Sequence, residues 1–269
     1  MRATLAAAVL LLSGCATPGT TTPTTSPSPS PTSKAPAEAA PPPPKGACYR
    51  LDYAAATAPT TSAKPVSCRK RHTSVTIKVG RFDAVVDGHL LAVDAPAIQK
   101  QIAAACTQAL PRWVGGTPAD LRLSRLEVVW FSPTVADNAA GARWFRCDLV
   151  APADQSTLAR LPKGKGRGLL TNGPGEFALC ATGDPAKPDT QFVICSMKHS
   201  WRAISATELP KDAKYLDKAA GGPAAEDCKS TAADRAGDPL DYSWSFQWPT
   251  KAAWRTGERY ALCWLPTSG

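Results

Sequence analysis

The residues best suited to chemistry are a cysteine and a histidine four positions apart, a pair that occurs twice. Cys68 precedes His72, and Cys195 precedes His199. Thiolate and imidazole are common zinc ligands, so one interpretation is a tetrahedral site assembled from all four side chains. In a second interpretation the cysteines enter disulfides, and each histidine hydrogen-bonds the backbone at the start of the next strand. A third assigns the two imidazoles a surface role in ligand contact or pH sensing.

Each pair is followed, further along the chain, by the motif G-x-R-aromatic-x-x-C. The motif occupies residues 141–147 and again residues 257–263. The two motifs keep the same order, which indicates one unit of roughly a hundred residues written twice. The repeated arginines, Arg143 and Arg259, have two interpretations: they bind a carboxylate ligand, or they form an ion pair or a cation–π stack inside each repeat.

Cys15 differs from the other eight cysteines in its context. It follows an apolar run over residues 3–12 and two small residues, Ser13 and Gly14. This resembles the bacterial lipobox, in which signal peptidase cuts before the cysteine and the thiol receives a lipid with palmitate-type acyl chains. The run is too short to span a bilayer as a mature helix. We expect residues 1–14 to be a lipoprotein signal peptide and Cys15 to anchor the chain on the extracytoplasmic face of the cell membrane; the alternative is an ordinary secretory signal.

Export places the other eight cysteines in an oxidising compartment, which favours disulfides over free thiols or metal sites. They divide four and four between the repeats, and four cysteines can pair in three ways. Each disulfide would stabilise its repeat by about 2–4 kcal/mol on the chain-entropy account. We predict the same pairing in both repeats: Cys48–Cys68 and Cys106–Cys147, then Cys180–Cys195 and Cys228–Cys263.

Positive charge is concentrated in the first part of the chain. Residues 48–150 carry 13 Lys/Arg against 8 Asp/Glu, and residues 151–175 carry 4 against 1, whereas residues 176–269 carry 11 against 12. Such a basic surface is attracted to anionic phospholipid headgroups or acidic wall polymers, and export argues against nucleic acid as a partner. The residues expected to contact such a partner are Arg69, Lys70 and Arg71 beside His72, and the basic run at 163–167.

The sequence offers no recognisable catalytic motif. It has no G-x-S-x-G elbow and no H-E-x-x-H helix, and no cysteine is left over for a Cys-His dyad once Cys15 is acylated. The glycine-rich run at 164–168 lacks the strand and the G-K-[ST] helix that flank a phosphate-binding loop. We therefore predict no catalytic residue, no bound metal and no cofactor.

The chain divides into five predicted segments. After the signal peptide, residues 15–45 form a lipidated, disordered tether, because residues 16–45 hold ten prolines and eleven Ser/Thr with almost no large apolar side chain. A first module (residues 46–150, here the first repeat) follows. A basic, glycine-rich linker (151–175, here the connector) joins it to a second module (176–269, here the second repeat).

Both repeats are predicted to be small, disulfide-stapled β-β-α-β-β modules of the α+β class. In the first repeat, Val75, Ile77 and Val79 alternate as in a strand with one buried face, and a helix capped by Asp94 continues until Gly115. Later strands are predicted at 126–131 and 143–150. In the second repeat, strands are predicted at 177–180, 191–195, 199–204, 242–248 and 259–264, with helical segments at 210–219 and 224–233.

Trp244, Trp248, Trp254 and Trp264 lie close together near the end of the second repeat, and they have two interpretations. Most of them are expected in the core, but an exposed aromatic platform that binds glycans or peptides is the alternative. Trp244 and Trp248, four positions apart, are predicted to share one face of a strand.

The combined pattern resembles the septum formation domain of actinobacterial secreted and membrane-attached proteins. The features that carry the resemblance are the Thr/Pro tether, a Gly-x-Cys opening, the C-x3-H step before a strand, a mid-helix cysteine and G-x-R-x-x-x-C. Family members often have Pro-His followed by an acidic residue and valine, whereas this chain has Arg71-His72 and Lys198-His199. The resemblance implies an envelope location and a link to septum formation, with no catalytic chemistry to transfer.

These observations favour a lipid-anchored, non-enzymatic envelope protein that presents two interaction modules to an envelope protein or an anionic wall polymer. The competing hypothesis is an envelope metal-binding protein or hydrolase that uses the regions around His72 and His199.

Overall fold

The computed structural model describes residues 38–210, 212, 214–215, 222–236 and 241–267. The predicted signal peptide, Cys15 and residues 16–37 of the tether lie outside the described residues, as does most of the helix predicted at 210–219. Within the described part, residue 40 already contacts the folded chain, because the indole Nε1–H of Trp144 donates to the Ala40 carbonyl at 3.1 Å.

The first repeat contains a four-stranded antiparallel sheet in the order β1-β2-β6-β5. Its long helix, α2, lies on one face and is joined to β6 by the Cys106–Cys147 disulfide. Three short helices and a two-stranded hairpin, β3–β4, were not predicted from the sequence. The elements are β1 (Cys48–Tyr49), α1 (Tyr53–Thr57), β2 (Ser74–Arg81), β3 (Val85–Val86), β4 (His89–Leu90), α2 (Pro96–Val114), α3 (Pro118–Arg122), β5 (Glu127–Phe131), α4 (Val135–Ala139) and β6 (Trp144–Val150).

Helix α2 confirms the predicted buried stripe but not the predicted cap. Ile98, Ile102 and Cys106 are fully buried against the sheet, and the helix ends at Gly115, whose φ of 69° suits glycine. The residue at the N-cap is Ala95, which makes no side-chain hydrogen bond, so the prediction that Asp94 caps the helix was wrong. The reason is Pro96, which holds the preceding residue in the extended region and starts the helix one position later than a cap at Asp94 requires.

The opposite face of the first sheet is also covered. Residues 51–66, which include α1, lie over it and form a cluster with Tyr49, Phe131 and Val150. Strand β2 is therefore buried on both sides, and Ser74 and Thr76 are as inaccessible to solvent as Val75. The prediction that β2 has a single buried face was wrong. Its alternating residues face two different buried surfaces, one against α2 and the other against residues 51–66.

The second repeat contains a five-stranded antiparallel sheet in the order β10-β11-β9-β7-β8. Helix α5 packs on one face and carries Cys228, which is bonded to Cys263 of β11. Strand β10 is shorter than predicted, so Trp244 and Trp248 both lie outside it. A short 3-10 helix at Gly175–Phe177 precedes β7 (Leu179–Ala181), β8 (Phe192–Ile194), β9 (Trp201–Glu208), α5 (Pro223–Arg235), β10 (Ser245–Gln247), α6 (Lys251–Arg255) and β11 (Tyr260–Pro266).

The connector is packed against the first repeat over much of its length. The amide of Gly164 donates to the Cys68 carbonyl at 2.9 Å, and the amide of Leu161 donates to the His72 carbonyl at 3.0 Å. Leu170 is fully buried beside Gly116, where an added Cβ would come within 2.5 Å of the Leu170 carbonyl oxygen. The domain boundaries drawn at 151 and 175 remain a prediction.

Direct backbone contacts join the two repeats. The amide of Arg125 donates to the Phe177 carbonyl, and the amide of Leu179 donates to the Leu123 carbonyl, both at 2.8 Å. The mixed α+β class and the four disulfides are confirmed, and each disulfide joins the two cysteines predicted.

Candidate functional site

The repeated cysteine and histidine pairs have the same local geometry in both repeats. His72 Nδ1 lies 2.9 Å from the Lys70 carbonyl, and His199 Nδ1 lies 2.7 Å from the Met197 carbonyl. A carbonyl only accepts, so Nδ1 carries the proton in each ring. Cys68 and Cys195 are both bonded to other cysteines, so neither has a thiolate to offer to zinc.

His199 differs from His72 in its surroundings. It is half-buried, and its ring lies beside the Cys180–Cys195 disulfide, with one ring nitrogen and the two sulfur atoms within 4.8 Å of one another. That spacing would suit a metal if the sulfurs were thiolates, but here they are bonded to each other.

His72 is completely buried, and its Nε2 has no hydrogen-bond partner among the described residues. His72 is among the residues that line a cleft of about 320 Å³, and the others are Thr73 and three arginines, namely Arg50, Arg71 and Arg160. Of the predicted contact residues, Arg71 therefore lies beside His72. Arg69 and Lys70 are exposed on the turn before it and do not line this cleft.

Arg143 and Arg259 close the ends of two short equivalent helices. The Arg143 guanidinium donates to the Asn138 carbonyl at 2.8 Å, five residues back along the chain. The Arg259 guanidinium donates to the Trp254 carbonyl, also five residues back, and lies 3.9 Å from the centre of the Trp254 ring. Arg143 thus stabilises the C-terminal end of α4, and Arg259 stabilises that of α6. A contact of either residue with a partner remains a prediction.

The sequence held a further signal for these two helices. Each begins at a Pro-Thr pair, 133–134 and 249–250, eight positions before the glycine of the repeated motif. The Thr134 hydroxyl accepts from the Asp137 amide at 3.0 Å, and the Thr250 hydroxyl accepts from the Ala253 amide at 3.1 Å. Extending the repeat by these residues would have predicted both helices.

A buried polar network lies on the covered face of the first sheet. Asp148 accepts hydrogen bonds from Ser74 at 2.6 Å, Thr76 at 2.7 Å and Arg146 at 2.9 Å. Burial raises the pKa of the Asp148 carboxyl, and Arg146 and the two hydroxyls offset part of that rise. The Arg146 guanidinium, which is always charged, is the counter-charge that this buried carboxyl faces.

Arg146 is held between two aromatic rings. Its guanidinium lies 3.8 Å from the centre of the Tyr49 ring and 4.6 Å from that of Phe131. The second repeat has Leu262 and Trp264 at the positions of Arg146 and Asp148, so this network is specific to the first repeat. Neither residue of the pair was predicted, because a two-residue step in a strand carries no spacing signal of its own.

A second cleft, of about 470 Å³, lies between the two repeats. We name it the inter-repeat cleft. One wall comes from α3 and the start of β5 in the first repeat, and the other comes from the second sheet on the face away from α5. Its lining includes Leu121, Arg122, Arg125, Glu127, Phe192, Gln247, Trp248, Glu258, Tyr260 and Leu262.

The charged groups of the inter-repeat cleft influence one another. Arg122 forms an ion pair with Glu208 and lies 4.4 Å from the centre of the Tyr260 ring. Desolvation raises the pKa of Glu127 and Glu258, while Arg125 and Arg122 respectively offset part of each rise. The pKa of Tyr260 is also raised, first by burial and then by Glu258.

The tryptophans of the second repeat have different environments. Trp254 and Trp264 are buried, as expected of core residues, whereas Trp244 and Trp248 are half-buried. Trp248 stacks on Trp254 with ring centres 6.1 Å apart and lines the inter-repeat cleft. Its indole Nε1–H is buried and has no acceptor among the described residues. Trp248 thus contributes a stacked aromatic side chain to the lining of the cleft.

Comparison with known proteins yields one family. A family model described as septum formation matches residues 19–134 and 122–220, two ranges that overlap at 122–134. No curated protein and no solved structure matches the chain. Within the described part of the chain, no helix combines the length and the apolar character needed to cross a membrane.

Proposed function

We propose a lipid-anchored, non-enzymatic role at division septa for this chain, which belongs to the septum formation family. Membership of the family supports an envelope role related to cell division. In our proposal Cys15 carries the lipid, the tether extends the folded part from the membrane, and two β-β-α-β-β modules present a surface to an envelope partner. Each of these finer steps is separately testable.

The observation that carries the proposed binding role is the inter-repeat cleft. Neither repeat could form it alone, because Arg122 and Glu127 come from the first repeat while Phe192, Trp248 and Leu262 come from the second. Ligand sites are concave, largely apolar and supplied with a few polar groups that fix orientation. A cleft that needs both copies gives a physical reason for joining two copies in one chain.

The lining of this cleft favours a segment of protein as the occupant. Phe192, Trp248 and Leu262 provide apolar and aromatic surface, which suits the side chains of a peptide segment. Arg125 and Glu127 at the side of the cleft offer both signs of charge, which suits a chain with alternating polar groups better than a polyanion.

The partner can be captured in living cells with a photo-crosslinking amino acid at Gln247, which lines the cleft. The matched control carries the same amino acid at Leu90, an exposed position of the β3–β4 hairpin outside this cleft. We expect a discrete adduct with an envelope protein from the Gln247 probe and none from the Leu90 probe. Equal adducts from both positions, or none from Gln247, would overturn the proposed site.

Anchoring is tested by Cys15→Ser in the full-length chain. The wild type is expected in the membrane fraction and labelled by an alkyne analogue of palmitate. The variant should lose the label and leave the membrane fraction. A variant that stays with the membrane after losing the label would refute lipid anchoring through Cys15.

The competing function, metal binding, rests on the position of His199 beside Cys180 and Cys195. It requires the sulfurs to be thiolates and therefore requires that disulfide to be open. Elemental analysis and thiol counting on protein purified from the envelope distinguish the two functions. Our proposal predicts four disulfides and no stoichiometric zinc, whereas bound zinc with fewer than four disulfides would favour the metal.

A further inference from the structure

We propose that the cleft formed by Arg50, Arg71, His72 and Arg160 binds a phosphoryl group. This site lies apart from the inter-repeat cleft and shares no lining residue with it. It is a second binding function, and its success or failure is independent of the partner assigned to the inter-repeat cleft.

The first reason is the state of the buried imidazole. His72 is 0% exposed, and its Nδ1–H is used by the Lys70 carbonyl, so Nε2 is the ring nitrogen that remains without a partner among the described residues. Leaving a buried polar atom unpartnered is costly. His72 is among the residues that line the cleft, so a group bound there is a candidate partner for this ring.

The second reason is the convergence of three arginines without a counter-charge. Arg50 follows β1, Arg71 precedes β2, and Arg160 comes from the connector. No side-chain hydrogen bond or ion pair to another described residue involves any of them. Three arginines that line one cleft without a described acidic partner make it a region of positive charge, which attracts an anion.

The third reason is that the backbone holds these three segments together. The Thr73 amide donates to the Tyr49 carbonyl at 2.9 Å, and the Thr73 hydroxyl donates to the Leu51 carbonyl at 2.6 Å. On the other side, the Leu161 amide donates to the His72 carbonyl at 3.0 Å. Hydrogen bonds of the fold therefore hold together the backbone segments that carry the residues of this cleft.

The chemistry of these donors favours a phosphoryl group over a carboxylate. Three guanidinium groups offer more N–H donors than the two oxygens of a carboxylate can accept. A phosphoryl group presents three or four oxygens and carries up to two charges, and arginine pairs with it through two parallel hydrogen bonds. The cleft of about 320 Å³ leaves room for the groups attached to the phosphorus.

The second repeat provides a matched control, because the alignment on its cysteines places other residues at these positions. Thr182 and Lys198 stand where Arg50 and Arg71 do. His199 is only half-buried and lies beside a disulfide. The sequence therefore predicts one phosphoryl site, in the first repeat.

Titration calorimetry of the disulfide-intact full chain in detergent tests the proposal, with inorganic phosphate, an oligomer of glycerol phosphate and acetate as probes. We expect saturable binding of the phosphate probes and affinity for acetate that is weaker by about tenfold or more. Arg71→Gln and Arg160→Gln should each weaken binding by about tenfold, as expected for loss of a hydrogen bond to a charged group. Lys198→Gln in the second repeat should change the affinity by less than about twofold.

Two arms identify the source of the phosphoryl group. Vesicles containing phosphatidylglycerol report a lipid headgroup, and the glycerol phosphate oligomer reports a wall polymer. Because Arg71 and Arg160 are exposed, their variants are expected to fold, and urea unfolding checks this. Absence of binding in every phosphoryl arm would overturn the proposal, as would unchanged affinity in both arginine variants or equal loss in Lys198→Gln.

Discussion

In the first repeat, residues 51–66 lie across the sheet face opposite α2, whereas in the second repeat the corresponding face borders the inter-repeat cleft. The segment responsible lies between the first two cysteines of each repeat. It spans 20 positions from Cys48 to Cys68 and contains α1, but only 15 from Cys180 to Cys195, where it forms the β7–β8 hairpin.

The side chains beneath differ in the same way. The covered face of the first repeat buries Asp148 and Arg146, whose charges are satisfied by each other and by neighbouring hydroxyls. The corresponding face of the second repeat has the buried apolar residues Leu262 and Trp264 instead, and Phe192 packs against the Trp264 ring with ring centres 5.6 Å apart. A shared framework of strands, helix and disulfides thus supports a buried polar network in one copy and an apolar face that borders the inter-repeat cleft in the other.

The largest expected effect comes from breaking the buried pair. Asp148→Asn keeps the shape of the side chain but leaves Arg146 buried without a counter-charge, which is expected to cost about 3–5 kcal/mol. Urea unfolding with disulfides intact measures this loss.

The matched variant makes the first repeat resemble the second. Arg146→Leu combined with Asp148→Leu removes both charges, and it should destabilise less than Asp148→Asn alone, because no buried charge is left unpaired. A double variant that is as unstable as the sum of its single changes would show that the two residues act independently.

The second effect concerns the disulfides between helix and sheet. Loss of either Cys106–Cys147 or Cys228–Cys263 should cost about 2–4 kcal/mol. Helix α2 keeps large buried side chains such as Ile98 and Ile102, but α5 buries only Ala225 and Ala232 besides its cysteine.

Hydrogen exchange on the two double Cys→Ala variants separates these cases. We expect α5 to lose amide protection when Cys228 and Cys263 are replaced, and α2 to keep most of its protection when Cys106 and Cys147 are replaced. Retained protection of α5 would mean that contacts other than the disulfide hold it to the sheet.

A smaller effect is expected at the repeated arginines. Arg143→Met should cost about 1 kcal/mol through its lost hydrogen bond at the end of α4. Arg259→Met should cost about 0.5–1 kcal/mol more, because Arg259 also lies over the Trp254 ring. Urea unfolding measures the stability lost in each variant. An equal loss would show that the contact of Arg259 with the Trp254 ring does not stabilise the protein.

The smallest effect concerns Glu127 in the inter-repeat cleft. Its pKa is raised above the ordinary value of 4.5, so the folded state holds this proton more tightly than the unfolded chain does. The contribution of Glu127 to the free energy of unfolding therefore falls as the pH rises from below 4.5 through the raised pKa.

Glu127 is exposed, so solvent screens most of this effect: Glu127→Gln should increase stability at pH 7 by about 0.5 kcal/mol or less and leave it unchanged in acid. Thermal unfolding across pH values measures the difference, with Glu176→Gln, which is also exposed but lies outside the cleft, as the control. A gain in stability that is larger in acid than at neutral pH would contradict a raised pKa of Glu127 in the folded protein.

The covalent framework was predictable from the sequence because spacing encodes it. The repeated cysteine positions predicted all four disulfides, and the spacing of Ile98, Ile102 and Cys106 predicted the long helix. The cap of that helix was mispredicted because the backbone restriction imposed by Pro96 outweighs the capping preference of Asp94.

The two clefts were not predictable, because each is assembled from segments that are distant along the chain. Arg50, Arg71 and Arg160 meet through hydrogen bonds between β1, β2 and the connector, and no periodicity records such a meeting. The inter-repeat cleft depends in addition on how short the segment between Cys180 and Cys195 is. Only the comparison with Cys48–Cys68 shows that this length matters.

Hydroxyl-radical labelling of the disulfide-intact protein, read by mass spectrometry, tests most directly whether residues at the inter-repeat cleft are more accessible to solvent than the covered face of the first repeat. We predict that Phe192, Tyr260 and Trp248 are modified readily, while Tyr49 and Phe131, which are 1% and 0% exposed, stay unmodified until the protein unfolds. Similar modification rates for the two sets in the folded protein would contradict the account.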